Sequence, residues 1–231
     1  MALHLPLQQH KAFIQTNNHM KKLIYSFTLL LFCLQNIVAQ SNAQAESMIS
    51  NLLADAKTNA IKTNFKLAVY EKKNTPAMVS TGTFTIKGAK FLLEMPDMKV
   101  FFDGKTQWAY VAKTNEVSIT EPTEKELSET NPMAILSGFK SKCTIRISSK
   151  SKSAQNHCIE MLPKIKNKDM DNIEVQINKS NNNLSSIKIT NKNGGASLLS
   201  LTNFQKGIKV TDAFFVFKAS KYLGVEVNDL R

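Results

Sequence analysis

The stretch FFDGKTQWAYVAKTNEVSIT, residues 101–120, contains two strand patterns and two turn signals, and a further apolar strand leads into it. Asp103-Gly104 is a strong signal for a two-residue hairpin turn, in which both central residues take positive φ. Residues 108–111 and 117–120 then place successive side chains on alternating faces, with a polar turn between them. The stretch therefore predicts three antiparallel strands in series.

The chain on either side of this stretch keeps a period of two, which is typical of strands. We predict the other strands within residues 65–70, 83–87, 91–95, 99–102, 143–148, 157–162, 173–178, 184–190 and 197–204. Because one face of these strands is apolar and the other polar, the apolar face needs a cover. A second sheet could provide it, or the same sheet could curl on itself.

Two helices are predicted between the strands. Apolar residues recur every three or four positions over residues 45–60, which indicates an amphipathic helix. Its apolar stripe includes Met48, Ile49, Leu52 and Leu53. A short helix is predicted at Asn131-Pro132, since Asn can cap it and Pro fits its first turn. The acidic stretch before it, residues 121–129, is predicted to be a loop.

The N-terminal segment has the pattern of an export signal. Two lysines after Met20 precede an apolar run over residues 23–34, and Ala39 is a small residue of the kind that signal peptidase requires. We therefore interpret residues 20–39 as a cleaved signal peptide and residues 1–19 as an upstream extension.

The mature chain, residues 40–231, has the length of one domain. The apolar run of the signal is shorter than the roughly 20 residues of a membrane-spanning helix, and no run of that length follows it. Cys33 follows Phe32, whereas a lipoprotein signal has a small residue before the modified cysteine, so no lipid anchor is expected.

Composition argues against a metal site and against nucleic-acid binding. Loss of residues 1–39 removes three lysines and no acid, so the formal net charge falls from +12 to +9. His157 is then the only histidine, and metal sites need three or four convergent ligands, so neither a metal nor another cofactor is predicted. Nucleic-acid sites favour arginine among exposed aromatics, yet arginine is scarce here. The lysine excess indicates a solvated face, and attraction to anionic membrane surfaces or acidic partners stays open.

Two cysteines remain in a compartment that permits a disulfide. Alternation places Cys143 on the face of Ile145 and Cys158 on the opposite one, which favours two free thiols over a disulfide. A catalytic pair of Cys158 and His157 is disfavoured, because adjacent strand residues point to opposite faces. Without paired carboxylates or a nucleophile with its base, the sequence does not predict an enzyme.

Four segments resemble the LolA family of periplasmic carriers of outer-membrane lipoproteins, in the form found in Bacteroidetes-type bacteria. They are GTFTIKGAKFLLEM (82–95), FFDGKTQWAYVAKTNEVSI (101–119), TNPMAIL (130–136) and KYLGVEVNDLR (221–231). The most specific motif is D-G-K-T-x-W-x-Y with a later N-P, formed here by Asp103, Gly104, Lys105, Thr106, Trp108, Tyr110, Asn131 and Pro132.

The resemblance implies a mainly β protein with α-helices: an unclosed antiparallel β-barrel of about ten to eleven strands with helices as a lid over an apolar cavity. It also implies a monomer in the periplasm that takes lipoproteins by their acyl chains from an inner-membrane release complex to an outer-membrane acceptor. One strand departs from the family, since an expected Arg-Pro reads IKGAK. Lys87 or Lys90 is then a candidate substitute for the arginine that latches the lid, but lysine lacks its planar fork of donors, so the resemblance does not extend to lid closure or to strict lipoprotein specificity.

Acyl chains need an apolar pocket without directional chemistry. We predict that this pocket is lined by Phe65, Leu67, Val69, Phe84, Ile86, Phe91, Leu93, Phe102, Trp108, Tyr110, Met133 and Leu136. The alternative for each is packing against its neighbours alone. The alternative function is a lipid-binding or sensory module of the same fold, which transfers another lipid or regulates an envelope partner.

Overall fold

A computed structural model of the chain describes residues 42–72, 75–152, 155–165 and 169–231. The predicted signal peptide, the upstream extension and Cys33 lie outside the described residues. Residues 44–231 contact one another as one compact unit.

The described strands form one twelve-stranded sheet in the order β12-β6-β5-β4-β3-β2-β1-β11-β10-β9-β8-β7. Their bounds are β1 (Ile61–Tyr70), β2 (Met78–Lys87), β3 (Lys90–Glu94), β4 (Met98–Phe102), β5 (Gln107–Val111), β6 (Glu116–Thr120), β7 (Cys143–Ile147), β8 (Asn156–Pro163), β9 (Met170–Asn178), β10 (Leu184–Asn191), β11 (Ala196–Lys206) and β12 (Glu226–Asp229). Neighbours are antiparallel, except that β12 runs parallel to β6. The order has two ends, so the predicted unclosed, mainly antiparallel sheet is confirmed.

Three α-helices accompany the sheet. They are α1, described over residues 42–58, α2 (Glu124–Thr130) and α3 (Pro132–Lys140), and short 3-10 turns cover Ser149–Lys152, Asp212–Phe215 and Ala219–Lys221. The apolar stripe of α1 packs on the inner face of the sheet, where Ala45 and Ile49 are fully buried. The long amphipathic helix predicted from the sequence is thereby confirmed.

The hairpin between β4 and β5 is present, but its turn is not the predicted two-residue one. Four residues, from Asp103 to Thr106, separate the strands, and only Gly104 among them has a positive φ, of 105°. The Asp103 carboxylate accepts hydrogen bonds from the backbone N–H groups of Lys105 (2.9 Å) and Thr106 (2.8 Å). The Asp side chain therefore helps to close a longer loop, together with the backbone hydrogen bond from the Asp103 N–H to the Thr106 carbonyl at 3.2 Å.

The acidic stretch predicted to be a loop contains α2, so that prediction is wrong. Thr123 and Glu126 form a reciprocal capping box, in which the Glu126 carboxylate accepts a hydrogen bond from the Thr123 N–H at 2.8 Å. The pattern T-x-x-E is a known helix start, and it was visible in the sequence. The predicted short helix is confirmed as α3, whose first turn is capped by the Asn131 side chain on the Met133 N–H at 2.9 Å.

The C-terminal segment, residues 208–225, covers the outer face of the sheet around β3 to β6. It contributes Phe215, Phe217, Tyr222 and their neighbours to a second apolar cluster, and Phe215 is fully buried. The chain then forms β12 beside β6. The strand patterns predicted neither this cover nor β12, although each predicted strand overlaps a strand of the structure.

Gly82 of β2 is expected to tolerate no side chain. A Cβ there would lie 2.0 Å from the Glu94 carbonyl oxygen and 2.7 Å from Cε1 of Phe65, its partner on β1. Gly82→Ala is therefore expected to lower the free energy of unfolding by roughly 1–3 kcal/mol, the usual range for overpacking, as measured by denaturant titration.

Gly138 in α3 provides the matched control, because nothing lies within 4 Å of an added Cβ. Gly138→Ala is expected to raise stability by about 0.5–1 kcal/mol, since Ala favours a helix interior over Gly. Equal responses of the two variants would contradict the close approach at Gly82.

Candidate functional site

An apolar cavity of about 550 Å³ lies between the inner face of the sheet and α3. Its walls come from β1, β2, β3, β4, β10, β11, the β3–β4 turn and α3, through Phe65, Leu67, Ser80, Phe84, Leu93, Met95, Met98, Pro132, Ile135, Phe139, Ile187, Ile189, Ser197, Leu199 and Leu201. Among these described residues, Ser80 and Ser197 are the polar ones and none is charged. A cavity of this size and polarity suits an apolar ligand without directional contacts.

The cavity follows β1 from one end to near the other. Ser197 pairs with Val69 near the end of β1, and Phe84 pairs with Thr63 near its start. Met78, which also pairs with Val69, is 51% exposed, so this end borders solvent. We call it the mouth and the Phe84 end the floor.

Beyond the floor lies a second cavity of only about 20 Å³. Phe84, Pro132 and Leu201 line both cavities and therefore separate them. Buried Leu52 of α1 and Ile61 of β1 line the far side of the small cavity. The large cavity is thus closed at the end that α1 covers.

Polar contacts attach the C-terminal half of α1 to the sheet. The Gly88 N–H donates to the Ala56 carbonyl at 2.8 Å, and Lys206 Nζ lies 2.5 Å from Asp55 Oδ2. Burial alone would raise the pKa of Asp55, but hydrogen bonds from Lys206 and Asn59 outweigh it and hold that pKa below its usual value. The floor of the cavity is therefore covered by a fixed helix.

The helix α3 is held differently. Pro132, Ile135 and Phe139 face the cavity with apolar side chains, and Lys140 Nζ donates a hydrogen bond to Ser50 Oγ of α1 at 2.8 Å. The helices α2 and α3 connect β6 to β7, which lie at or near opposite ends of the strand order. The segment therefore crosses from one side of the open sheet to the other over the cavity.

The structure brings part of the predicted lining together. Phe65, Leu67, Phe84 and Leu93 line the large cavity, and Ile86 and Met133 line the small one. On the same face, Phe91, Phe102 and Leu136 are buried in the core cluster, and Val69 lies at the mouth outside the lining. Of the predicted lid residues on α1, Met48, Ile49, Leu52 and Leu53 pack on the core, and only Leu52 reaches the small cavity.

Trp108 and Tyr110 do not line the cavity, so that prediction is wrong. Trp108 pairs with Phe101, and both rings lie in the cluster on the outer face, while Phe102 and Ala109 point inward. The Tyr110 ring lies 4.3 Å from that of Tyr222 in the C-terminal segment. Aromatic residues occupy both faces here because both faces are covered.

The family motif has a structural role in this chain. Its Tyr110 hydroxyl donates to Asn115 Oδ1 at 3.1 Å, and Asn115 Nδ2 donates to the Leu223 carbonyl at 3.0 Å. Lys105 pairs with Glu121 at 3.2 Å. The D-G-K-T-x-W-x-Y part of the motif therefore shapes a hairpin and holds the C-terminal segment against it, outside the cavity, whereas Pro132 of the N-P part lines the cavity.

The suggested lysine latch is also wrong. Lys87 Nζ donates to the Val210 carbonyl at 3.4 Å, and Lys90 Nζ lies 2.6 Å from Asp212 Oδ2. These lysines neighbour the inward-facing Ile86 and Phe91 in sequence, so they point outward, to the C-terminal segment. The hydrogen bond from Lys90 holds the pKa of Asp212 below its usual value.

The sequence-based lining missed the walls formed by the second half of the sheet. These are Ile187 and Ile189 of β10 and Leu199 and Leu201 of β11, together with Ile135 and Phe139 of α3. The alternation of Ile187 with Ile189, and of Leu199 with Leu201, was the signal that could have identified them.

The two described cysteines are free, as the alternation indicated. The side chain of Cys143 faces inward with that of Ile145, whereas the side chain of Cys158 lies on the other face. The backbone N–H of Cys158 donates a hydrogen bond to Ser151 Oγ at 2.6 Å. Burial raises the pKa of both thiols.

Within the described ranges, no three side chains of His, Cys, Asp or Glu converge as a metal site would require. No described helix combines the length and the apolar character of a membrane span.

Solved structures that superpose on this chain have very different sequences. An uncharacterized conserved protein from Thermus thermophilus superposes with a TM-score of 0.52 at 10% identity, over 80% of this chain and 99% of that one. A chain of the Pseudomonas aeruginosa MucA/MucB complex gives 0.48 at 12% identity over 76% of this chain, which spans 62% of that one. A LolA superfamily protein from Nitrosomonas europaea gives 0.41 at 9% identity, over 75% of this chain and 97% of that one.

The family assignment comes from the sequence. No curated protein matches the chain significantly. Residues 40–193, more than half of the chain, match the family described as outer membrane lipoprotein carrier protein LolA. The match includes the strands and the helix that form most of the cavity wall. The chain therefore belongs to the LolA family of outer membrane lipoprotein carrier proteins.

Proposed function

We propose that this protein is a periplasmic carrier that binds lipoprotein acyl chains in the large cavity and takes them from the inner to the outer membrane. The observation that supports it most is the open, uncharged cavity of about 550 Å³ between the sheet and α3 in a LolA family member. The role requires an inner-membrane source and an outer-membrane acceptor of lipoproteins, and it requires neither a cofactor nor catalysis.

The energetics of acyl-chain burial suit such a role. Each methylene group moved out of water contributes about 0.8 kcal/mol, so sixteen of them contribute roughly 13 kcal/mol before the cost of ordering the chain. Micromolar binding corresponds to about 8 kcal/mol. Useful affinity therefore needs only an apolar wall, which the cavity provides, and the head group stays at the mouth near Ser80 and Ser197.

A carrier must also release its cargo, and α3 is the element suited to move. It faces the cavity through apolar contacts, which have no required direction, whereas α1 is attached to the sheet by the bonds of Asp55 and Ala56. Met95 and Met98 also line the cavity, and their flexible side chains adapt to ligands of different shape. In this proposal, displacement of α3 opens the cavity while α1 stays in place.

Mass spectrometry of the molecules that co-purify with the periplasmic protein tests the function. We expect acylated lipoproteins with the wild type and their loss with Ile135→Glu, which places a charge in the α3 wall. Ser137→Glu is the matched control, because Ser137 lies on the same helix but is exposed, and it should retain the cargo.

Two outcomes would contradict the proposal. Enrichment of another lipid in place of lipoproteins would favour the alternative of a different lipid-transfer or sensory role. Retention of the cargo by Ile135→Glu, as by Ser137→Glu, would show that α3 does not form the binding wall.

A further inference from the structure

We propose that the mouth end of the sheet docks on an anionic lipid surface, so that the cavity opens directly onto a bilayer. This docking rests on the proposed function in one respect, which is that acyl chains enter and leave at the mouth. The partner is a membrane with anionic head groups, and the contacts are made by lysines and exposed apolar side chains around the mouth.

Four connections lie beside the mouth. Because an antiparallel order places every second connection at the same end of the sheet, the β1–β2, β8–β9 and β10–β11 connections and the entry to β7 lie at the mouth end. The described residues within 71–77, 140–142, 164–169 and 192–195 form them, and we call these residues the rim.

The segments of the rim touch one another. The Lys164 N–H donates to the Lys142 carbonyl at 2.9 Å. The Lys192 N–H donates to the Asp169 carbonyl, also at 2.9 Å. A Cβ on Gly195 would lie only 2.8 Å from a carbonyl oxygen of the β1–β2 connection. The rim is therefore one continuous surface beside the mouth.

Four lysines of the rim have no acidic partner in the part of the chain that the structure describes. Lys72, Lys142 and Lys164 are exposed, and none of the ion pairs among the described residues includes them. The same holds for Lys140, which bonds to the neutral Ser50 hydroxyl. Their positive charge is therefore available to a partner outside the protein.

The rim as a whole carries net positive charge. It has five described lysines and two acids, Glu71 and Asp169, which gives a formal charge of +3. At the floor end, by contrast, Lys90 and Lys206 pair with carboxylates. Each lysine near an anionic membrane strengthens binding by roughly fivefold. Lysine suits this contact, because mobile head groups need a point charge and no fixed fork of donors.

Exposed apolar side chains lie at the same end of the sheet. Ile165 of the rim is 84% exposed, and Leu223, whose carbonyl bonds Asn115 of the β5–β6 turn, is 99% exposed. Met78 and Val79 begin β2 at the mouth and point to opposite faces, yet each is about half exposed. A bilayer interface buries such side chains while lysines contact the head groups, whereas an acidic protein would need a pocket for each. The combination therefore favours a lipid surface.

Co-flotation of the full mature chain with lipid vesicles tests the docking. One set of vesicles contains phosphatidylethanolamine and the anionic phosphatidylglycerol, and the other contains phosphatidylcholine alone, which has no net charge. We expect binding to the anionic vesicles and at least about tenfold weaker binding to the neutral ones. Binding should fall by a similar factor between about 0.1 M and 1 M salt, as the Debye length shrinks from about 10 Å to 3 Å.

Charge reversal locates the contact. Lys142→Glu combined with Lys164→Glu changes four units of charge, so binding to anionic vesicles should weaken on the order of 100-fold or more. Lys57→Glu combined with Lys209→Glu is the matched control, because it changes the net charge equally at exposed lysines of the floor end. The control should bind within a few-fold of the wild type.

An apolar substitution distinguishes a bilayer from an acidic protein. Ile165→Ser should weaken binding to anionic vesicles on the order of tenfold, because the lost side chain no longer enters the interface. Leu230→Ser is its control, since Leu230 is 68% exposed but bonds the Ile119 carbonyl near the other end of β6. This control should bind like the wild type.

Three results would overturn the docking surface. They are no binding to anionic vesicles, equal losses in the two lysine pairs, and a loss in the rim pair without one in Ile165→Ser, which would indicate an acidic protein partner instead. Binding of a fluorescent fatty acid, measured on the same proteins, separates this proposal from the carrier function. Fatty-acid binding without vesicle binding would overturn the docking alone, and vesicle binding without fatty-acid binding would overturn the carrier function alone.

Discussion

Leu199→Glu is expected to abolish acyl-chain binding and to leave the protein folded. Leu199 lies in the middle of the cavity wall, between Leu67 of β1 and Ile187 of β10, and it is only half-buried because it faces open space. In the empty protein, water in the cavity can solvate the new carboxylate. A bound chain would displace that water and leave the charge unpaired, which costs several kcal/mol and lowers affinity on the order of 100-fold or more.

Leu198→Glu is the matched control for this prediction. Leu198 is the adjacent residue of β11, half-buried on the opposite face and paired with Lys188. Binding of a fluorescent fatty acid should be lost in Leu199→Glu and kept in Leu198→Glu. Acidification should partly restore binding in the first variant, because an apolar site raises the pKa of a carboxyl group and favours its neutral form. Equal binding by the two variants would place the ligand elsewhere.

Phe215→Ala is expected to have the largest effect on stability. Phe215 is fully buried in the outer cluster, where it helps to hold the C-terminal segment on the sheet. Truncation of a buried Phe usually costs 3–5 kcal/mol, which lowers the melting temperature by on the order of 10 °C in a chain of this length. Circular dichroism during heating measures the shift.

Phe214 provides the control beside it, because it is 37% exposed, and Phe214→Ala should cost less than about 1 kcal/mol. Trp108 gives a local readout, since it packs on the outer cluster and is the only tryptophan of the chain. Its fluorescence should respond to Phe215→Ala. It should not respond directly to ligand, and a strong response to bound fatty acid would contradict its position outside the cavity.

The strand pattern could be predicted because each strand has one apolar and one polar face over most of its length. Leu67 and Phe65 alternate with Lys66, and Ile187 and Ile189 alternate with Lys188, so a period of two is visible from sequence alone. The cap at Asn131 and the opposite faces of the two cysteines followed from equally local rules. These features depend on neighbours within a few residues.

The position of Trp108 and Tyr110 could not be predicted in this way. Alternation assigns them to one face of β5 but does not say which face covers the cavity, and in this part of the sheet both faces are apolar. The choice depends on the C-terminal segment, about one hundred residues later in the chain, which packs over the outer face. The lysines at positions 87 and 90 were misassigned for the same reason, since their partners Val210 and Asp212 belong to that segment.

Sequence also could not show that the interior is partly empty. Phe84 and Phe91 have the same residue type and face inward on paired strands, yet Phe84 borders the cavity and Phe91 is packed on all sides. The difference depends on where the two helices lie over the sheet, with α1 above the floor and α3 beside the open part. Residue type reports apolar character, whereas empty volume depends on that arrangement.

The strand order has a further consequence for the size of the guest. Since β12 and β7 end the order and do not pair in the part of the chain that the structure describes, the sheet is interrupted along one line. A continuous ring of strands would have to break a row of backbone hydrogen bonds before its circumference could grow. Here the circumference can grow by separation of the two borders alone, and α2 and α3, which link β6 to β7, limit how far they part.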